Sequence, residues 1–135
     1  MEEKIIHLNR VRSHLIKLAR QNQTITYRQL ETVCQIPNQN KRERNFYFFD
    51  LLVHIGNFET MFNRPPINSL VYSVKDKRPG QGFYDWARVM LKITSKKKIE
   101  YSIFLLNKWK QECNDYWSIE ENYQKYSGDF FIKYE

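Results

Sequence analysis

The sequence predicts a mainly α, α+β fold: a helical unit carrying a short β-hairpin, completed by a C-terminal helical appendage. Three observations support this. Apolar residues recur at helical spacing through most of the chain, whereas period-two alternation is confined to one segment around residue 70. Proline and glycine fall at 37, 56, 65–66 and 79–82, between the periodic stretches. With 135 residues and 41% hydrophobics, the chain can close a core, with the helical unit expected over 1–94 and the appendage over 95–135.

Taken in order, residues 2–20 read as an amphipathic helix, because Leu8, Val11, Leu15 and Leu18 share one face. Gln21, Asn22 and Gln23 end it. Thr26-x-x-Gln29 fits a capping box for a second helix over Tyr27 to Cys34, with Leu30, Val33 and Tyr27 facing inward. Pro37 blocks its continuation. A third helix is expected from Asn38–Asn40 to His54, buried through Phe46, Phe49, Leu52 or Val53, and Ile55, with Gly56 as its stop. Residues 57–66 read as a loop and Ile67 to Val74 as a strand, since Leu70, Tyr72 and Val74 alternate with Ser69, Val71 and Ser73. Lys75 to Gly82 is a charged turn whose glycines permit backbone angles barred to other residues. Phe83 to Lys92 favours helix, and Ile99 to Cys113 is a helix. Ser118-x-x-Glu121 suggests a second capping box for a helix ending before Gly128. Phe130, Phe131, Ile132 and Tyr134 form a terminal strand or docking tail.

The net charge of +7 is uneven: residues 1–98 hold 18 Lys+Arg against 8 Asp+Glu, and residues 99–135 hold 4 against 7. A basic body suits a polyanionic partner. No apolar run reaches the roughly 20 residues of a membrane helix, and the start does not resemble a signal peptide. Cys34 and Cys113 read as free thiols in a reducing, cytoplasmic setting.

A helix, short strand, helix, turn, helix, then a strand and a basic loop is the order of a winged helix, in which the third helix enters the major groove. The candidate base- and phosphate-facing residues are Arg28 and Gln29, then Asn38, Gln39, Asn40, Lys41, Arg42 and Arg44. The candidate wing is Lys75, Lys77 and Arg78 with Gln81. Asn and Gln pair with adenine, Arg with guanine, and cations hold phosphates. ITYRQL, followed by a helix and by RPPINSLVYSVKDKRPGQGFY, resembles winged-helix domains with a TY-x-(E/Q)-L opening, such as the DNA-binding domain of alkyltransferase-like proteins. The resemblance covers about residues 24–84. The reactive Pro-Cys-His-Arg motif is absent, and neither Cys34 nor Cys113 can replace its nucleophile. The resemblance therefore implies a fold and a binding face, with no transferase activity.

The leading expectation is a non-catalytic nucleic-acid-binding protein, for double-stranded DNA before RNA, serving as a transcriptional regulator or a phage- or plasmid-type accessory protein. No cofactor or metal is expected. Asp50, Glu59 and Asp76 lack two-metal spacing, Gly80-x-Gly82 lacks the Lys-Ser/Thr of a phosphate loop, and His7 and His14 stand two turns apart on one helix. His54 reads as structural. An alternative is a protein-interaction module, of inhibitor, antitoxin or immunity type or a homodimer, using an acidic aromatic face of Trp109, Tyr116, Trp117, Tyr123 and Tyr126. A third is a small ribonuclease using His14 beside Lys17.

Overall fold

Leu8, Val11, Leu15 and Leu18 form a buried stripe along the first helix, α1 (Glu2–Arg20), as their spacing requires. The computed structural model describes residues 2–38, 45–75, 77–90 and 98–131, with the backbone alone at 2, 81 and 98–104. α1 ends where Asn22 turns left-handed (φ 56°) and Gln23 N donates to Leu18 O at 2.9 Å. β1 (Ile25–Thr26) runs directly into α2 (Tyr27–Val33), and the expected capping box is formed: Gln29 N donates to Thr26 Oγ1 and Thr26 N donates to Gln29 Oε1. Leu30 and Cys34 face the core from α2. Val33, expected inward, is 53% exposed, because the core-facing pair on this short helix is i, i+4 rather than i, i+3.

α3 (Phe46–Met61) starts later and ends later than its sequence pattern suggests. Asn45 caps it, accepting from Phe48 N through Oδ1 at 3.2 Å. The late start moves the buried face to Phe48, Leu51, Leu52, Ile55 and Glu59, and leaves Phe46 70% exposed and Phe49 half-buried. Gly56 does not stop the helix, and residues 57–61 are helical. A Cβ at Gly56 would stand 2.5 Å from Asn68 Nδ2 and 2.6 Å from Trp86 Cζ2, so the glycine permits close packing.

The segment expected as one long strand divides in two. Residues Ile67–Leu70 form a 3-10 turn, buried on every side, and only Val71–Tyr72 (β2) is strand. With all four preceding residues buried, no solvent face existed for alternation to mark. β2 pairs parallel with β1, Ile25 opposite Val71 and Thr26 opposite Tyr72. The expected hairpin is reduced to a single antiparallel bridge, Ser73 to Arg78. The left-handed residue in its turn is Lys77 (φ 56°); neither Gly80 nor Gly82 has positive φ. Gly82 instead admits the Phe49 ring, which an added Cβ would overlap.

α4 (Gln81–Met90) buries Phe83, Trp86 and Ala87 at i, i+3 and i+4 against Leu105 and Trp109 of α5 (Lys98–Ser118). Farther along α5, Cys113 and Trp117 enter the main core with α1 and α3. α6 (Glu120–Tyr126) follows at once. The Ser118 capping box is not formed, because Ser118 closes α5 and Ile119 holds the N-cap position without a side-chain bond. The mainly helical α+β architecture is thus the fold class the sequence implies, with a two-strand parallel sheet where a hairpin was expected. Among the described residues, no helix is long and apolar enough to cross a membrane.

Candidate nucleic-acid interface

The basic 73–80 turn is held against the first turn of α2 at two points. Tyr72 pairs with Thr26 in the ladder, and Gly80 N donates to Tyr27 Oη at 2.9 Å. Within the turn, Ser73 N donates to Arg78 O at 2.8 Å and Lys77 N to Ser73 O at 2.7 Å, which fixes its shape. Pro79 is buried beneath it. These contacts dock the turn that carries Lys75, Lys77 and Arg78 against the first turn of α2, which carries Arg28, although the two segments are far apart in the chain. Arg28, Lys75 and Lys77 are exposed and Arg78 is half-buried. Among the described residues, no ion pair engages these four cations.

The remaining expected positions are distributed differently. Gln29 is exposed, but its Oε1 accepts from Thr26 N, so its amide serves the cap as well as the surface. Gln81 opens α4. Gln39, Asn40, Lys41, Arg42 and Arg44 lie outside the described residues. Asn38 is half-buried and not helical. α3 begins at Phe46, so Asn38 to Arg44 precede it, and its first turn carries Phe46, Tyr47, Phe48 and Phe49 in place of the expected cations and amides. Asn45, buried at the start of α3, donates through Nδ2 to Pro37 O at 3.1 Å.

The aromatic set separates into core and surface. Trp109 and Trp117 are 5% and 0% exposed, which removes them from any contact face: they fill the space between α5 and the rest of the molecule. Tyr116 and Tyr123 are half-buried, and Tyr126 is exposed. Phe62 and Phe130 join Tyr126 on the surface, with Phe58 stacked between Phe62 (5.2 Å) and Phe130 (6.3 Å).

The histidines occupy separate environments. His7 Nδ1 and Tyr47 Oη share a hydrogen bond at 2.6 Å. His54, expected among apolar residues, is half-exposed on the surface, 3.6 Å from Asp50 Oδ2 and 3.2 Å from Lys4 Nζ. His14 lines a cleft with Lys17, and its pKa is lowered by burial first and by the Lys17 charge second. Both cysteines are free and buried, and burial pushes the Cys34 thiol up to about 11. Among the described residues, no group of His, Cys, Asp and Glu is placed to hold a metal ion.

A feature missed in the sequence lies at the centre of the core. Glu59 accepts from Arg12 Nε through one carboxylate oxygen and from Arg64 Nε through the other, each at 2.5 Å. Arg12 also donates to the carbonyls of Tyr126 (2.6 Å) and Gly128 (3.0 Å), so the triad holds the C-terminal segment as well. Its one available signal was Arg12 lying between Leu8, Val11 and Leu15 on the apolar side of α1. Comparison of the chain with protein-family models, with curated proteins and with solved structures finds no match in any of the three.

Proposed function

We propose that this protein binds nucleic acid without catalysis, duplex DNA in preference to RNA, through the face formed by the start of α2 and the 73–80 turn. The observation that supports the reading is the bond from Gly80 N to Tyr27 Oη, which together with the Thr26–Tyr72 pairing moors the turn carrying Lys75, Lys77 and Arg78 to the start of α2, where Arg28 lies. Cations held by a rigid scaffold bind a phosphate backbone with little loss of freedom, and counterion release supplies much of the affinity. The basic stretch from Lys41 to Arg44 extends the same charge in sequence. The winged-helix resemblance agrees with this reading, as does a cytoplasmic setting, and transcriptional regulation or a phage- or plasmid-type accessory role is the corresponding biological use.

A salt-dependent titration with random duplex DNA, single-stranded DNA and structured RNA tests the proposal. Arg28→Ala and Lys77→Ala are each expected to weaken duplex binding at all sequences and to lower the log–log salt slope by about one. Tyr27→Phe, which removes the mooring hydroxyl but no charge, is expected to weaken binding several-fold. Absence of duplex binding at low salt would sink the reading.

A second reading has one observation in its favour: Phe62, Tyr126 and Phe130 leave apolar surface exposed beside α6, whose first turn carries Glu120 and Glu121. Such a face suits a protein partner with a basic rim, as for an inhibitor, antitoxin or immunity protein. Loss of a stoichiometric partner on Tyr126→Ala, with DNA binding intact, supports it.

A further inference from the structure

The side of α1 away from the core carries Arg10, Ser13, His14 and Lys17, spaced so that successive turns present polar groups together. Cys34 at the end of α2 and Asp129 near the C-terminus help enclose this side as a cleft of about 410 Å³. The enclosure is held from both directions. Arg10 Nη1 donates to Cys34 O at 2.9 Å, and Asn9 accepts from Phe131 N and donates to Phe131 O at 3.2 and 3.0 Å. One bond fixes the Arg10 guanidinium in place and uses one of its five N–H donors.

The charges in the cleft do not cancel. Arg10 and Lys17 from α1 face one carboxylate, Asp129, from the C-terminal segment. At the C-cap of α2, Cys34 lines the cleft with a thiol that burial keeps protonated at neutral pH. His14 adds a ring that burial and Lys17 keep uncharged near pH 7. Beside the apolar Ile6 and Val33, the two cations, the hydroxyl and the imidazole offer a doubly charged oxyanion both charge and hydrogen bonds.

We propose that this cleft binds a terminal phosphate group, with Arg10 and Lys17 supplying charge and Ser13 and His14 supplying hydrogen bonds. The cleft adjoins the C-terminal end of α2, whereas the nucleic-acid face lies at the N-terminal end, so the proposal does not depend on duplex binding.

The test follows the His14 ring resonances of the full chain by NMR during titration with inorganic phosphate, adenosine 5′-monophosphate and adenosine at constant ionic strength. A saturable shift with a phosphate-bearing ligand, and none with adenosine, is expected. The His14 pKa should rise on binding, because a nearby dianion favours the imidazolium. A response confined to the nucleotide assigns the cleft to nucleotide phosphate, and a response to both assigns it to the anion itself. Lys17→Gln, at an exposed position, is expected to weaken binding about tenfold while the protein stays folded. Arg10→Gln should weaken it at least as much. A His14 unmoved by both inorganic phosphate and the nucleotide at tens of millimolar overturns the proposal, as does an unchanged affinity in Lys17→Gln.

Discussion

Arg12 and Glu59 form an ion pair in which the two side chains are 1% and 0% exposed, with Arg12 Nε and Glu59 Oε1 2.5 Å apart. Arg64 takes the other oxygen, so a single carboxylate compensates two buried guanidinium groups. Glu59→Gln retains the shape and removes the charge, leaving both cations desolvated. The expected cost is about 3–5 kcal/mol, read as a fall in the urea midpoint with an unchanged slope. Replacing all three members with apolar residues of similar volume should cost less than Glu59→Gln alone, since no uncompensated charge then remains buried.

His14 makes stability pH-dependent on the acid side. Its pKa in the folded chain lies below the ordinary 6.5, through burial and then Lys17. The unfolded chain therefore takes up the proton first as pH falls. The stability associated with neutral His14 is fully present above 6.5 and is lost as pH drops below it toward the folded-state value. Denaturant unfolding at pH 7.5 and pH 5.5 should show the loss, and His14→Asn should reduce the difference. Glu120 and Glu121, whose values are lowered from 4.5 by hydrogen bonds to their neighbours, contribute only at lower pH.

Lys77 holds left-handed backbone at φ 56° in the turn proposed to meet phosphate. Lys77→Gly is expected to act with opposite signs on two measurements. Thermal stability should rise by about 1 kcal/mol, because glycine adopts this conformation without Cβ strain. Duplex affinity should fall with the lost cation. A variant that lost both would show that Lys77 holds the turn together.

Gly56→Ala replaces a poor helix former with the best one, yet it is expected to destabilise the protein. The added methyl meets Asn68 and the Trp86 ring well inside contact distance. Trp86 cannot easily move, since its Nε1 donates to Asn57 Oδ1 at 2.7 Å. Overpacking of this kind costs about 1–3 kcal/mol, more than the roughly 1 kcal/mol gained in propensity. Calorimetry of the variant checks it.

The parts of the fold legible in the sequence were those set by local chemistry. The stripe on α1 and the Thr26–Gln29 cap both follow from side chains within a few turns of one another. The misreadings at Gly56, at Ile67–Leu70 and at the start of α3 have other causes. Gly56 answers to Trp86 and the 3-10 turn is buried on all sides, so in both cases tertiary neighbours overrode the local signal, whereas α3 starts late because Asn45 supplies a local cap several residues beyond the expected start. The candidate site was legible as a set of cations, but the docking of the 73–80 turn on α2 depends on Tyr27 and Gly80, neither of which stands out by composition. The buried Glu59 triad was hidden because charged residues in sequence read as surface.

The two-residue parallel ladder between β1 and β2 has a kinetic consequence. Its strands are separated by α2, α3 and the 3-10 turn, so the pairing closes a long loop and is expected to form after the helices between have docked. The Arg28 and Lys77 sides of the proposed contact face are therefore joined late in folding. A fragment ending before Val71 carries Arg28 without its counterpart, and recovery of polyanion binding during refolding should coincide with the slowest structural phase rather than with the first appearance of helix.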